Sequence, residues 1–473
     1  MGVGIRIAGI VCGLALLAGA EAGTAATKKP NAPATICVNN KCASGPAATS
    51  GKVKWNPGHY GASAGIAYPA DTLSKFRPEM DDMLKDDWIV GYRLFMTWAA
   101  LDAGPITFTG SVAGATSGTV TAAPGDDTYW VAFPDGEYRS VKVTGTAASW
   151  SGALNAGADN TAHLYRTSLL DQVLSRLKTN YNKPKQLVIG LLVMSFQHGS
   201  RDPDDFGIVP EYITKDVSKY GPSPDGSSSG WWGPPAGATQ GAYTAAVYRP
   251  NVAAEYGKLG KALGAKYNSD PNFEALMDQE TSAVMGPALV FPPKDGSYSD
   301  DSYVSSIKTY LTAWRSAFPN TSLILQNTWL NTANPTQQLE DWMIRGGQYI
   351  APSSADSSGQ SYYTKTGGAG SWGLSAYAGI TVANSLWTGS DSRGMARAMM
   401  DVESGNIGTG SGAKQNNTPL DIIAGLNTTS KASHAFWCHV PGSGSPRPTW
   451  AQVTAVLRTN PLTNTSYPGN YPQ

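Results

Sequence analysis

The sequence predicts an α/β fold, a (β/α)8 barrel with a small all-β insertion after its second strand. Short apolar segments alternate with helical patterns eight times along the chain, which is typical of such barrels. The strand candidates are apolar at consecutive positions, as strands buried on both faces are. A doubly wound open sheet is the alternative, but no Gly-rich phosphate-binding fingerprint follows the first strand.

Residues 1–22 have the pattern of a secretory signal peptide. Arg6 precedes an apolar run from Ile7 to Ala18, and Ala-Glu-Ala at 20–22 satisfies the small-x-small cleavage rule. The run is too short to cross a bilayer, so an uncleaved membrane anchor is the weaker alternative. No later segment is apolar enough for a span, and we therefore expect a secreted protein, extracellular or periplasmic.

Residues 23–51 are rich in Ala, Thr, Lys, Pro and Ser and are interpreted as a linker. Within it, "CVNNKC" has an Asn-Asn turn that can bring Cys37 and Cys42 within bonding reach. An oxidising compartment favours a disulfide between them. A zinc site is the poorer alternative because no nearby Cys or His completes four ligands.

The barrel is predicted to comprise residues 52–104 and 161–460, followed by a C-terminal tail at 461–473. Helical patterns separate the strand candidates, although the sixth helix, around 372–382, is unclear. The eight strand candidates are 52–60, 89–98, 186–196, 273–282, 322–330, 348–354, 395–404 and 434–440.

Residues 105–160 interrupt the alternation of strands and helices. Their β-branched alternation, Gly-rich turns and "PDGE" hairpin signal predict a small inserted β domain. Two further long loops, 199–246 and 283–301, follow strands three and four. All three segments leave the carboxyl ends of strands, where barrel enzymes build their sites.

Two similar segments, "ALMDQETSA" (275–283) and "RAMMDVESG" (397–405), end strands four and seven. Acid-x-acid pairs alone are weak evidence, since the chain has five and its composition predicts about three by chance. Alternation along a strand puts Asp278 and Glu280 on one face. The same alternation pairs Asp401 with Glu403. We therefore expect both glutamates to point into the barrel mouth, with Asp278 deeper as a structural hydrogen-bonding group.

Two facing carboxyl groups are what glycoside hydrolysis requires. One protonates the leaving oxygen, and the other attacks the sugar carbon or activates water. Burial can raise the pKa of one glutamate while the other stays ionised. The alternatives are a structural ion pair of Glu280 with Arg93, and Asp401 in place of Glu403.

Glutamates ending strands four and seven resemble the arrangement in the retaining (β/α)8 glycosidases of clan A, the 4/7 superfamily. The resemblance implies that Glu280 is the acid/base and Glu403 the nucleophile. In that clan Asn usually precedes the acid/base, whereas this chain has Gln279.

The same resemblance implies three substrate-binding residues. Arg93 matches an arginine of strand two, and His198 matches a histidine late in strand three. Trp437 matches a sugar-stacking tryptophan of strand eight, where an aromatic face stacks on the apolar face of a pyranose. Core packing is the alternative for Trp437.

The chain is also similar to a poorly characterised set of phage and bacterial barrel proteins related to glycoside hydrolases. The shared motifs are "KWNPGHY" (54–60), "WAALD" (98–102), "TPLDI" (418–422) and "FW" (436–437). The similarity covers about residues 52–458 outside the β insertion. It implies a barrel but defines no substrate.

Further residues at strand ends are binding candidates, each with a structural alternative. His59 is a possible donor to substrate or a satisfied core histidine. Trp98 and Asp102 end strand two, and Asp102 could orient a sugar hydroxyl or serve as a helix cap or loop residue. Trp329 ends strand five and is expected to line the cleft.

Adjacent Trp231 and Trp232 lie in the Gly/Ser/Pro-rich loop 199–246. Exposed indoles there would form subsites or a lid, and anchoring of the loop is the alternative. Asp401, on the same strand face as Glu403, is a further substrate-binding candidate.

Composition limits the partners. Charged residues are 15% of the chain and the formal net charge is zero, so no basic excess is available to neutralise nucleic acid or an anionic membrane. We expect no cofactor and no metal, because the Asp-x-Glu pairs lack a ligand-rich loop of EF-hand type. A Ser-His-Asp hydrolase lacks its Gly-x-Ser-x-Gly turn.

These observations predict a monomeric, secreted, retaining glycoside hydrolase that acts within a polysaccharide or oligosaccharide. The alternative is a catalytically inactive carbohydrate-binding protein, or a surface or phage-derived structural protein, on the same scaffold.

Overall fold

The computed structural model describes most of the chain after residue 52. The described residues are 53–107, 116–119, 128–133, 136–144, 147–150, 161–195, 207–223, 229–232, 243–279, 296–326, 339, 342, 350–354, 399–402, 419–428, 433–438, 449–463 and 465–467. The predicted signal peptide and the linker with Cys37 and Cys42 lie outside them.

Eight parallel strands form a closed barrel and follow one another around it in chain order. The predicted α/β class is confirmed. The barrel strands, one to eight, are β1 (Gly58–Ala67), β2 (Gly91–Thr97), β9 (Gln186–Leu192), β13 (Phe273–Gln279), β14 (Ser322–Gln326), β15 (Ile350–Ser354), β16 (Met399–Val402) and β17 (His434–Cys438).

A second sheet of six strands is antiparallel and leaves the barrel after strand two. It begins and ends outside the predicted 105–160 segment, and its status as a separate domain stays a prediction. Its strands are β3 (Asp102–Thr107), β4 (Thr116–Thr119), β5 (Thr128–Ala132), β6 (Tyr138–Thr144), β7 (Ala147–Trp150) and β8 (Thr161–Arg166). A third, three-stranded sheet contains β10 (Met194–Ser195), β11 (Trp231–Trp232) and β12 (Tyr243–Ala245).

The longer described helices lie in segments with predicted helical patterns. In the helix Ser168–Thr179 (α3), buried Leu170, Val173, Leu174 and Leu177 recur at the spacing of one helix face, which packs inward. The helices are α1 (Leu73–Leu84), α2 (Trp98–Leu101), α3 (Ser168–Thr179), α4 (Glu211–Thr214), α5 (Val217–Tyr220), α6 (Pro250–Tyr267), α7 (Asp300–Ala317), α8 (Pro419–Thr428) and α9 (Trp450–Thr459).

Strands one to five and strand eight of the barrel are buried on both faces, which explains their nearly continuous apolar sequence. One face contributes to a cluster inside the barrel, and the other packs in the larger core with the helices. Met277 and Phe436 belong to the interior face, whereas Leu276 and Trp437 belong to the helix-facing core. This division decides which predicted site residues can face a substrate.

The predicted first strand, 52–60, is wrong in its bounds, because the strand begins at Gly58. The preceding residues close the amino end of the barrel instead. The Lys54 backbone N–H donates to the Asn320 carbonyl at 2.9 Å, and the Asn56 N–H donates to Glu274 at 2.9 Å. Pro57 has no N–H to offer a strand ladder, so the ladder starts after it.

Candidate active site

The two predicted catalytic glutamates follow directly on two barrel strands. Strand four ends at Gln279 and strand seven at Val402, each one residue before its glutamate. Glu280 and Glu403 themselves lie outside the described residues, as do His198 and Trp329.

Strands four and seven are three positions apart in the ring of eight. Because all neighbouring strands are parallel, the chain leaves both at the same end of the barrel. The topology therefore brings the two segments to one mouth, although local sequence could not show that they share it.

The aspartate of the first Met-Asp-x-Glu segment faces the helices. Asp278 is in register with Leu325, a residue of the helix-facing core, so its carboxylate points away from the barrel interior. Asp401 is in register with Phe436, which lines the interior. Asp278 therefore does not point into the barrel interior, and the side chain of Asp401 lies outside the described structure.

Asp278 is a buried carboxylate held by two tyrosines. The Tyr256 hydroxyl donates to Oδ1 at 3.0 Å, and the Tyr310 hydroxyl donates to Oδ2. Burial raises the pKa of Asp278 to about 6, and the two tyrosine hydrogen bonds oppose that rise. The expected structural hydrogen-bonding role of Asp278 agrees with these contacts.

Arg93 lies inside the barrel and is 1% exposed. Its guanidinium carbon is 4.2 Å from the ring centre of Phe95 and 4.7 Å from that of Phe436. Nη1 is 3.8 Å from Sδ of Met277 on strand four. Arg93 thus adds a cation to the barrel interior between strands two, four and eight, in cation–π geometry with two rings.

Asp102 and Trp98 belong to a buried hydrogen-bond cluster at the start of the six-stranded sheet. The carboxylate of Asp102 accepts from Trp98 Nε1 at 3.0 Å, from the Gly104 N–H at 2.9 Å and from the Tyr212 hydroxyl at 3.2 Å. His163 Nε2 lies 2.6 Å from the same carboxylate.

These contacts fit the alternative that Asp102 is a structural loop residue, because protein donors surround its carboxylate. The side chains of Trp98 and Asp102 are buried, and the Trp98 ring packs at 4.9 Å from Tyr256. The "WAALD" motif is therefore explained by a four-residue turn closed by one tryptophan–aspartate bond.

His59 lies at the amino end of the barrel, not at the mouth, because it is the second residue of β1. Its Nδ1 accepts from Trp437 Nε1 at 3.0 Å, and Nε2 lies 3.2 Å from the Asn460 carbonyl. These partners assign a neutral ring with the proton on Nε2. Burial lowers the pKa of His59 to about 4, which agrees with that state.

Trp437 is fully buried in the helix-facing core. A stacking platform needs an exposed ring face on the interior side of the mouth, and the described position of Trp437 offers none. The lumen-facing aromatic residue of strand eight is its neighbour Phe436. The core-packing alternative therefore fits the geometry of Trp437.

Trp231 is also buried, at 3% exposure, and pairs through β11 with β12. Its position agrees with anchoring of the loop rather than with an exposed subsite. The backbone of Trp232 continues the strand, while its side chain, like that of Asp401, lies outside the described structure.

The amino end of the barrel contains a polar network that sequence reasoning missed. Glu274 accepts from the Asn56 side chain at 2.7 Å, and His434 Nε2 lies 3.3 Å from it. Burial would raise the pKa of Glu274, but the contacts with His434 and Asn56 outweigh burial and lower it. The sequence signal for this network is a glutamate, Glu274, within the apolar run "FEALM".

A cavity of about 30 Å³ lies between the loop after β1 and the start of α3. Tyr68, Asp71, Arg166 and Gln172 contribute to its wall. A cavity of this size holds a few water molecules.

The described residues contain no cluster of three or more His, Cys, Asp or Glu side chains suited to a metal ion. None of the helices in the described ranges is long and apolar enough to cross a membrane.

No protein-family model matches this chain, and no curated protein is significantly similar to it. Among solved structures, it is similar to Ega3 of Aspergillus fumigatus, determined in complex with galactosamine. That match has 8% identity and a TM-score of 0.29, and it covers 56% of this chain and 78% of Ega3.

A second similar structure is a cold-adapted beta-galactosidase from Rahnella sp. R3. Here the identity is 11% and the TM-score 0.31, with 60% of this chain and 44% of the beta-galactosidase covered. The chain thus spans less than half of that protein, and neither likeness carries a functional conclusion.

Proposed function

We propose that this protein is a secreted retaining glycoside hydrolase on a (β/α)8 barrel, with Glu280 as acid/base and Glu403 as nucleophile. One observation carries the proposal: the two glutamates directly follow strands four and seven of a closed parallel barrel. Carboxyl ends of barrel strands are where enzymes of this architecture place their chemistry.

The chemistry follows from two carboxyl groups across the scissile bond. Glu280 donates its proton to the leaving glycosidic oxygen while a carboxylate oxygen of Glu403 attacks the anomeric carbon, forming a covalent glycosyl-enzyme. Water, deprotonated by Glu280, then displaces Glu403 from that carbon. Retention requires the two carboxyl groups to lie about 5–5.5 Å apart, against about 6.5–9.5 Å for inversion.

The strand registers support Glu403 more directly than Glu280. The backbone of Asp401 is in register with Phe436, a residue of the barrel interior, and we propose that strand alternation turns Glu403 to that side. Glu280 reaches the mouth only if the backbone turns after Gln279, and β13 ends at that residue.

The substrate we propose is a polysaccharide or oligosaccharide, bound by a monomer. Arg93 lies in the barrel interior, and we propose that its cation acts on the two carboxylates. We propose His198, Trp329 and Trp232 as contributors to sugar subsites.

A second candidate function is binding of carbohydrate without hydrolysis. It is favoured by the helix-facing orientation of Asp278, because the same alternation, if extended, would turn Glu280 away from the mouth.

The test is a polysaccharide panel assayed for new reducing ends, using wild type, Glu280→Gln and Glu403→Gln. We expect each variant to lose activity by about 10²-fold or more. Asp82→Asn, an exposed carboxylate on α1, is the matched control and should retain wild-type activity. NMR of the first-formed anomer distinguishes retention from inversion.

Activity that survives in both glutamine variants would refute the catalytic assignment. Binding to a glycan by wild type, with no new reducing ends, would establish the second candidate instead.

A further inference from the structure

The small cavity beside α3 lies at the mouth end of the barrel. Its wall includes the loop 68–72, which directly follows β1, and part of α2, which directly follows β2. Because the barrel strands are parallel, the chain leaves strands four and seven at this same end. Strands one and two lie between strands seven and four in the ring, so the cavity is on the rim beside the proposed catalytic segments.

Arg166, the last residue of β8, is held in the wall of the cavity. Its Nη1 donates to the carbonyl of Ala99 at 2.9 Å and to that of Asp102 at 3.0 Å. These two bonds fix the guanidinium in place. Its Nε is buried and donates to none of the described groups. A buried donor without an acceptor costs free energy, which an acceptor on a ligand would offset.

Asp71 provides an acceptor in the same wall. Its Oδ2 accepts from the Tyr68 N–H at 2.8 Å and from Lys75 Nζ at 2.6 Å. The carboxylate is thus fixed and its charge is balanced by Lys75. Both contacts use Oδ2, so Oδ1 retains its lone pairs for a further donor. The Asp71 side chain is 23% exposed, and a ligand therefore has access to it.

A fixed donor and a fixed acceptor in one wall favour a neutral ligand that both accepts and donates. The Asp71 carboxylate disfavours an anion beside it, and the cations of Arg166 and Lys75 disfavour a further cation. A sugar hydroxyl group both donates and accepts, so two neighbouring hydroxyl groups match the pair and replace water molecules. Pro69 and Leu169 add apolar surface to the wall, which suits the C–H groups of a sugar.

We propose that this cavity is a carbohydrate subsite at the rim of the barrel. Asp71 accepts a hydrogen bond from one hydroxyl group of a neutral sugar residue, and Arg166 Nε donates to the neighbouring hydroxyl group. The inference rests on the proposed function, because it concerns the same glycan. It adds a subsite formed entirely by described residues, which binds a sugar residue away from the cleaved bond.

The test is affinity electrophoresis in native gels that contain galactomannan, arabinoxylan, mixed-linkage β-glucan or soluble starch. Asp71→Asn removes the charge of the acceptor at nearly constant size, and Ala70→Trp adds an indole to the cavity wall. We expect each variant to raise the dissociation constant of the polysaccharide that wild type binds by about tenfold, because a charge-assisted hydrogen bond is lost or blocked. Unchanged dissociation constants in both variants, or no binding of the four polysaccharides by wild type, would overturn the inference.

Asp82→Asn is the matched control. It makes the same change in an exposed carboxylate of α1, which pairs with Lys85 and lies outside the cavity wall. Its dissociation constants should equal those of wild type. Ala70 is exposed, so Ala70→Trp keeps the test available if Asp71→Asn does not fold, and circular dichroism checks the fold of each variant.

Anionic polysaccharides provide the competing outcome. Pectate carries carboxylate groups and chondroitin sulfate carries sulfate groups as well, and a guanidinium binds both kinds of anion. Binding of these two polymers alone, strengthened in Asp71→Asn, would overturn the assignment to neutral hydroxyl groups.

The inference and the proposed function fail in different measurements. On a glycan that wild type cleaves, both variants should raise KM and leave kcat unchanged, since a remote subsite binds the ground state and the transition state alike. An unchanged KM in active Ala70→Trp would refute the inference alone. Wild type that binds a polysaccharide through this cavity but forms no new reducing ends would refute the hydrolase alone.

Discussion

Strand four carries two buried carboxylates with opposite environments. Glu274, at the amino end, contacts His434 and Asn56, and these contacts lower its pKa. Asp278, near the mouth, faces the helices, and its donors among the described residues are two tyrosine hydroxyls; burial raises its pKa to about 6. The two groups are four residues apart, so burial by itself does not decide the direction of the shift.

The difference separates the two ends of the barrel. At the amino end, the "KWNPGHY" segment supplies donors that satisfy a buried charge, which is the pattern of a stabilising network. Near the mouth, strand four retains a carboxylate without a described cationic partner, which is the pattern of a functional site.

The largest expected effect is at the amino end. Glu274→Leu leaves His434 and the two Asn56 donors without their buried acceptor. We expect the free energy of unfolding to fall by about 3–5 kcal/mol, measured by denaturant titration. The exposed change Asp82→Asn should stay within about 0.5 kcal/mol of wild type. A loss below about 1 kcal/mol for Glu274→Leu would mean that the network contributes little.

The pH dependence of stability should differ in sign for the two carboxylates. The pKa of Glu274 in the folded protein is lowered from 4.5. The ionised carboxylate therefore contributes to the free energy of unfolding above that pH, and the contribution is lost as the pH falls through the folded-state pKa. The penalty of Glu274→Gln should therefore shrink in acid.

Asp278 has a folded pKa of about 6 against an ordinary 3.8, so wild type loses about 3 kcal/mol as the pH rises across that interval. Asp278→Asn does not share this loss, and its stability relative to wild type should increase with pH. Denaturant titrations from about pH 2.5 to about pH 8 measure both trends. Parallel trends in the two variants would contradict the contrast between the sites.

Much of the barrel was predictable because buried parallel strands are locally apolar. Strands two to eight lie within predicted segments, whereas the first begins later than predicted. The polar residues of its predicted segment pair with Glu274 and Asn320, more than 200 positions away in the chain. A contact between residues so far apart in the chain leaves no pattern in the local sequence.

The orientation of side chains was less predictable than the strands. When both faces of a strand are apolar, alternation shows which residues share a face but not which face is inside. Asp278 is an example: its motif shows that it shares a face with Glu280, but only the contacts with Tyr256 and Tyr310 show that it faces the helices. The tryptophans Trp98, Trp231 and Trp437 are buried, and an indole fits a core as well as a sugar platform.

A smaller effect is expected for the cluster where the six-stranded sheet leaves the barrel. In Asp102→Asn an amide nitrogen replaces one carboxylate oxygen. One of the groups that now lie against that carboxylate, such as Trp98 or His163, then loses its acceptor. We expect a loss of about 2 kcal/mol in the free energy of unfolding. Tyr212→Phe, which removes one of these bonds, should lose about 1 kcal/mol or less. Equal losses would show that the tyrosine bond dominates.

The smallest expected effect on activity distinguishes a core tryptophan from a sugar platform. Trp437→Phe removes the bond to Nδ1 of His59 and part of the packing against the helices, but it leaves the interior residue Phe436 in place. The unfolding free energy should fall by about 1–2 kcal/mol, because a buried imidazole nitrogen loses its donor. KM and kcat on the best glycan of the panel should stay at wild-type values, since the indole lies on the face of strand eight that points away from the mouth. A tenfold rise in KM, equivalent to about 1.4 kcal/mol of binding free energy, would instead mean that this side of strand eight contributes to substrate binding.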